Sequence, residues 1–307
     1  MKIYLNKAGE NWIVDRFYSE WNYFNSSTVT KFIFNSDIIW LIAPWTWKKI
    51  HRKNLSRKKV VCTIHHIDES KFDEKQKKEF YERDKYVNFY HVISEKTYKQ
   101  LVKLTDKKIF VIPFWVNQNI WFQLDNKALL RKKYNIDEKS FLVGSFQRDT
   151  EGHDLKSPKL SKGPDQFLKI VKQLQDEKKD LMVLLSGKRR QFLISELDKH
   201  KIPFYYLEMT NYKTLNELYN ILDLYIVASR VEGGPQSILE AAATKTPLIS
   251  TNVGIAEEIL NSSSIYDMEN YMEAKPDTEY SYRNVKQYFV PEGFISFYDM
   301  FEFINEN

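Results

Sequence analysis

The sequence predicts an α/β protein built from two parallel-sheet domains, and three observations carry that expectation. Short apolar runs alternate with helix-period segments along most of the chain. The 307 residues exceed what one ordinary core fills. The alternation breaks once, after Pro113. Strands and helices alternating in this way imply right-handed crossovers and sheets covered on both faces. Two such units in tandem face each other across a cleft, where ligands are expected outside the carboxyl ends of the strands.

In the first part, apolar runs at 2–5, 37–42, 60–64, 87–93 and 109–112 read as buried strands. A helix is expected over 12–24, where Ile13, Phe17 and Trp21 share one face. Ser94 is a natural cap for another over 95–104. The segment after Pro113 lacks a strand pattern and carries a helix at 127–134, so the domain crossing is placed near Gln118. Strands are then expected at 141–146, 181–186, 202–206, 224–228 and 247–250, and helices at 164–175, 191–199, 215–222 and 236–243. The expected domains are 1–118 and 119–290. The tail, 291–307, places Phe294, Phe297, Tyr298, Phe301 and Phe303 on an amphipathic helix that needs a partner surface.

The net charge of +5 divides unevenly: 22 Lys and Arg against 13 Asp and Glu up to Gln118, and 24 against 28 beyond it. The single cysteine, Cys62, excludes a disulfide framework and a cysteine-based zinc site, and a reducing intracellular setting is expected. The longest apolar stretch, 38–45, is under half a bilayer span, so no signal peptide or spanning helix is expected. Residues 45–59 hold seven Lys or Arg, two tryptophans and no acid. Such a stretch suits an anionic membrane surface; a solvated helix face with core tryptophans is the alternative. Nucleic acid is not an expected partner, because no stacking platform accompanies the cations. Neither a dinucleotide fingerprint nor a P-loop occurs, and there is no Asp-x-Asp.

Residues 227–254, VASRVEGGPQSILEAAATKTPLISTNVG, read as strand, glycine turn, helix and strand. Gly233 and Gly234 let the backbone approach a ligand, Pro235 suits the first helical position, and the amides of Gln236 and Ser237 open a helix start that favours an anion. Glu232 lies just before the glycines, and Glu240 lies among Ile238, Leu239 and three alanines. A carboxylate in such a place needs donors, which ligand hydroxyls would supply. The bland alternative is that Glu240 caps or pairs with a neighbouring Lys and Glu232 is solvated.

This segment resembles the Glu-x7-Glu motif of retaining, GT-B-fold glycosyltransferases of the family 4 type (glycosyl transferases group 1), with Glu232 and Glu240 as the two glutamates. The resemblance continues through PLIST-NVG-IAEEI, LYNILDLYIVAS and SKGPDQFLKIV, and more weakly through VVCTIHHID, HVISEKTYKQL and VIPFWVN. It implies two Rossmann-like domains, the C-terminal one binding a nucleoside diphosphate sugar of UDP or GDP type, with the tail helix crossing back onto the first domain. It implies Glu240 on the ribose, Glu232 near the donor sugar, and Arg148 and Lys162 on the diphosphate, whose developing charge positioned cations stabilise.

The loop between Arg148 and Lys162 is longer than the family's, so Lys159 could take one of these contacts. A histidine contacting the donor is matched best by His65, with His66, Asp68 or simple packing as alternatives. Gly9 matches the turn that borders the diphosphate, although the family's double glycine is missing.

The resemblance further implies transfer with retention, without metal or other cofactor, to a glycan, lipid-linked or protein acceptor held by the first domain. The setting it implies is cell-surface polysaccharide synthesis, in the cytoplasm or peripherally at the inner face of a membrane. A non-catalytic homologue serving as a nucleotide-sugar-binding or assembly subunit, and a nucleotide-sugar epimerase, are the rival readings.

Overall fold

The computed structural model describes residues 1–10 and 13–307; Trp12, the expected start of the first helix, lies outside the described residues. The chain forms two compact units, one of Met1–Phe114 with Pro291–Asn307 and one of Trp115–Val290. The second unit begins before Gln118 because this stretch is tied to its far end. The Val116 amide donates to the Tyr288 carbonyl (2.8 Å), and the Gln118 side chain both donates to and accepts from the backbone of Val290.

In the first unit β1 (Ile3–Leu5), β2 (Ile38–Leu41), β3 (Lys59–Ile64), β4 (Phe89–Val92) and β5 (Ile109–Val111) pair in that order, all parallel. β2 is buried at every position, as a parallel strand covered on both faces requires. The helices are α1 (Ile13–Phe24), α2 (Arg52–Leu55), α3 (Glu74–Asp84) and α4 (Glu95–Leu101), the last capped by Ser94 as expected. Val29 bridges to Ile3 on the free side of β1, so the chain reverses its direction across the sheet between β1 and β2. Asn6 staples that point, its side chain donating to Ala43 O and Thr46 Oγ1 and accepting from the Ala43 amide.

The tail helix, Ile295–Glu306, completes this core. Phe297 and Phe301 both meet Trp21 and Trp40, and Phe297 also meets Phe114 and His91. Large aromatic faces of this kind dominate the burial of a core.

The basic stretch 45–59 does not form one face. Trp47 packs in the core beside Tyr86, whereas Trp45 lies past the carboxyl end of β2 and donates to Glu10. Lys48 pairs with Glu79 and Glu82, Lys58 donates to the carbonyls of Phe34 and Ser36, and Lys59 donates to that of Asn305. The segment leaves one edge of the sheet and returns to the other, and so divides its cations between them. No helix among the described residues is long and apolar enough to cross a membrane.

In the second unit β6 (Phe141–Ser145), β7 (Leu181–Ser186), β8 (Phe204–Leu207), β9 (Leu224–Val227), β10 (Leu248–Thr251) and β11 (Ile265–Tyr266) form a parallel sheet of order β11-β10-β9-β6-β7-β8. The helices are α5 (Lys127–Lys133), α6 (Pro164–Glu177), α7 (Gln191–Lys199), α8 (Tyr212–Ile221), α9 (Gln236–Ala243), α10 (Ala256–Ile259) and α11 (Thr278–Val285). The chain runs outward through β7 and β8 and then returns to place β9 against β6. That neighbouring pair is a switch point, and the loops leaving its carboxyl ends are where a ligand is expected.

Candidate functional site

The loops at this switch point are 146–148 after β6 and 228–234 after β9, and a third, 159–163, packs against them. The third is held by backbone: Ser161 O accepts from the amides of Arg230 (2.9 Å) and Val231 (3.1 Å). Gly163 makes the approach possible. It sits at φ +61°, and a Cβ there would fall 1.7 Å from Ala228 O, so glycine at 163 is a requirement of packing. Gly254 does the same on the other side, where a Cβ would fall 2.6 Å from Gly233 O. Gln166 donates to Ala228 O (2.8 Å), and Arg230 makes a two-pronged contact with Asp165 (2.7 and 2.6 Å).

These staples bring Lys162 onto Glu232, Nζ donating to Oε1, with both side chains largely shielded from solvent. Ser229 Oγ donates to the same carboxylate oxygen (3.2 Å) and also reaches Gln147 (3.3 Å), whose amide in turn donates to Lys162 O (3.1 Å). Lys159 stands in the same group. Burial, then the charges of Arg148 and Lys162, push its ammonium down to about 8, with Glu232 and Glu151 opposing. Lys162 thus contacts Glu232, and Lys159 lies within electrostatic reach of Arg148, Lys162 and Glu232.

The long loop between Arg148 and Lys162 is a hairpin. Thr150 pairs with Pro158, and Asp149 O accepts from the Lys159 amide (2.7 Å). The hairpin is anchored below by Asp149, whose carboxylate faces Arg190 Nε (3.3 Å) and the first amides of α7. Arg190 is fully buried and also donates to Ser145 Oγ (3.1 Å). Burial pushes the Asp149 carboxyl up to about 6 against the pull of Arg190.

Glu240 is 6% exposed, facing inward from α9, and accepts from the Tyr219 hydroxyl (3.0 Å). Burial and the neighbouring Tyr225 and Glu240 hold the Tyr219 phenol well above its ordinary range, so it stays a donor. Ser237 bonds to Tyr225 at the start of the same helix. Gln236 is the first residue of α9, as expected, while Pro235, with the extended ψ of 112°, is its cap and not its first helical residue.

In the first unit His65 follows β3, half-buried, with Nε2 donating to Ile42 O (2.8 Å) and its ring stacked on Phe114. Burial pushes it down to about 4, so the imidazole is neutral. His66 is exposed, and Asp68 caps a short turn over Glu69–Lys71. Gly9 has φ +76° and its amide donates to Asp15 Oδ1 (2.9 Å), while the Glu10 amide donates to Oδ2 (2.7 Å). This turn therefore presents amides that a carboxylate of α1 already occupies.

Tyr219, Ser229, Gln147 and the Asp149–Arg190 pair have no sequence signal of their own. They sit up to 82 residues from the groups they serve, and only the strand order brings them together. Among the described residues no three His, Cys, Asp or Glu side chains are grouped so as to hold a metal ion.

Residues 127–271 match the family model of glycosyl transferases group 1. None of the curated proteins matches the chain in sequence. Among solved structures, the HepE protein of Anabaena in complex with UDP is similar at a TM-score of 0.74 and 13% identity, over 100% of both chains. A sucrose-phosphate synthase from Thermosynechococcus elongatus is similar at 0.70 and 12% identity, over 95% of this chain and 78% of that one. A glycosyltransferase from Rickettsia africae is similar at 0.65 and 18%, over 98% and 84%. With the two parallel sheets and the matched segment, this chain is a GT-B-fold glycosyltransferase whose residues 127–271 match the glycosyl transferases group 1 model.

Proposed function

We propose that the second unit binds a nucleoside diphosphate sugar at the β6–β9 switch point and that its sugar is transferred with retention and without a metal ion. In this reading Arg148, Lys159 and Lys162 take the diphosphate, Glu240 takes the ribose hydroxyls, and Glu232 with the Gly233–Gly234 backbone lies by the sugar. In the first unit His65 and Gly9 are proposed as donor contacts, and that unit is proposed to hold a glycan, lipid-linked or protein acceptor.

The observation that carries this reading is the contact of Lys162 with Glu232 at the switch point, beside Lys159, whose ammonium is pushed down to about 8 by burial and then by the charges of Arg148 and Lys162. The two negative charges of a diphosphate would balance these cations. A departing diphosphate gathers more charge, and fixed cations in a partly buried site stabilise that charge without rearranging. Such cations supply what a divalent ion supplies elsewhere. Glu232 accepts from Lys162 and Ser229 on one oxygen, which suits an orienting group better than a nucleophile. The diphosphate oxygen is then the base that takes the acceptor proton. The one HepE protein, solved with UDP, with UDP and glucose, and with UDP-glucose, supports a uridine donor.

A thermal-shift series with UDP, GDP and ADP tests the reading. A ligand at a hundredfold over its Kd stabilises by about 2.7 kcal/mol, and no shift with any of the three overturns the proposal. An altered sugar nucleotide formed without acceptor would assign an epimerase instead.

The pH dependence gives a second check. Protonated Lys159 favours the anion, so UDP affinity should fall as pH rises above about 8, where the free ammonium titrates. Lys159→Met should bind more weakly at pH 7 and show a flatter profile by calorimetry between pH 7 and 9.5. An unchanged slope would remove Lys159 from the diphosphate.

A further inference from the structure

The positive charge of the first unit does not gather where its strands end. The loops leaving the strands, 6–10, 42–46, 65–68, 93–94 and 112–114, carry Lys7 against Glu10 and Asp68. The segments leading into them, 1–2, 31–37, 56–58, 84–88 and 106–108, carry seven Lys or Arg against Asp37, Asp84 and Asp106. All five strands are parallel, so these segments share one edge, the amino edge of the sheet.

The same edge carries exposed aromatics. Phe32 is 60% and Phe34 69% exposed, with ring centroids 5.6 Å apart, on the short turn that leads into β2. Large apolar side chains exposed as a pair are unusual on a soluble surface and mark an interaction site. Tyr23, 79% exposed at the end of α1, joins them at the edge to which that helix returns. The register places their neighbours: Ile38 pairs with Lys59, so Ser36 and Asp37 lie beside Arg57 and Lys58. Lys58 confirms the proximity by donating to Phe34 O and Ser36 O. Lys31 and Arg57 are exposed beside the phenyl pair.

We propose that this amino edge docks on an anionic lipid bilayer, Phe32 and Phe34 entering the interface while Lys31, Arg57 and Lys58 meet the headgroups. Two adjacent phenyl rings ringed by cations fit a surface that is apolar beneath and negative above. A protein partner of the same charge would need acids matched to individual cations, whereas here Lys31 and Arg57 make no ion pair with the described residues. The acids of the edge are engaged or outnumbered. Asp37 accepts from the Lys2 amide, and Asp84 at the end of α3 is paired with Lys107.

The test is co-sedimentation of the full chain with vesicles of phosphatidylcholine alone and with about 30% phosphatidylglycerol, a content of anionic lipid that attracts basic segments. Binding is expected only to the anionic vesicles, weakening when salt is raised. Lys31→Glu/Arg57→Glu should lose at least about tenfold in partition, since each basic residue near the surface contributes about fivefold. Phe32→Ser/Phe34→Ser should lose a similar amount with an unchanged melting temperature, because both rings are already in solvent. No binding to anionic vesicles, or binding that survives both double substitutions, overturns the proposal. A change of oligomeric state in Phe32→Ser/Phe34→Ser without any vesicle binding would assign the patch to self-association instead.

Discussion

Lys162→Ala is expected to lower kcat/KM for sugar transfer by about 10²–10³, most of it in kcat, a loss of roughly 3–4 kcal/mol of transition-state stabilisation. The ammonium is held by the turn over Leu160–Lys162, itself fixed by the Ser161 carbonyl and by the close approach of Gly163 to Ala228. Its resting partner is Glu232, so before substrate arrives the charge is already paired and shielded. A diphosphate drawing Lys162 away gains more as the glycosidic bond breaks and charge collects on the leaving oxygen. The effect should therefore fall on the chemical step and exceed any effect on ground-state binding. Steady-state kinetics with donor and acceptor varied separately reads this directly. A KM that rises with kcat unchanged would make Lys162 a binding group only. Lys162→Arg should recover part of the activity, because the charge returns with a different geometry.

Asp149→Ala is expected to destabilise the second unit by about 3–5 kcal/mol, the usual result of leaving a buried charge without its partner. Arg190 is fully buried, and apart from Asp149 it is within hydrogen-bond reach of Ser145 Oγ alone among the side chains described for it. In a unit of this size the loss lowers the melting temperature by roughly 10 °C.

The same substitution frees the hairpin between Arg148 and Lys159, so transfer should fall even where the protein remains folded. The pH dependence has a definite sign. The Asp149 carboxyl is pushed up to about 6 from an ordinary value of 3.8, so the folded state holds this proton more firmly than the unfolded one. Its contribution to stability is largest below about pH 4 and declines as pH rises to about 6. Calorimetry of wild type and variant from pH 4 to 8 should show that slope in the wild type only. A double substitution, Asp149→Leu with Arg190→Met, should recover much of the melting temperature, since it removes both charges together. Failure of the pair to recover would mean that the amides of α7, rather than Arg190, are what Asp149 chiefly serves.

The second unit was the more legible of the two. Helices 191–199 and 236–243 and strand 181–186 fall where periodicity placed them, because apolar runs, caps and glycines agree there. Strand 202–206 shifts to Phe204–Leu207, since Pro203 cannot donate to the ladder. The helix expected at 215–222 starts earlier, at Tyr212, where the Asn211 side chain caps it. In the first unit α2 and α3 lacked clear limits in the sequence. α3 is almost wholly polar and is held by its Asp73 cap, Phe80 and Arg83.

The glutamates were visible because a fixed spacing on one helix and its turn joins them. Ser229 with Gln147, and Asp149 with Arg190, were not, because each pair is joined only by a sheet order that no local pattern announces. The basic stretch misled for a related reason. Charge counted along the chain does not say which end of a strand it reaches, and this segment passes from one edge to the other.

The rings of Phe294, Phe297 and Phe301 close the core of the first unit around Trp21. That core cannot close until residues 291–307 have been made, because they are its last wall. The second unit is continuous, Trp115–Val290, and every strand of its sheet has emerged before the tail does. The usual order, in which the amino-terminal domain matures first on the ribosome, is reversed. A chain truncated after residue 290 should carry a folded second unit beside a first sheet that still exposes Trp21 and Trp40 to chaperones.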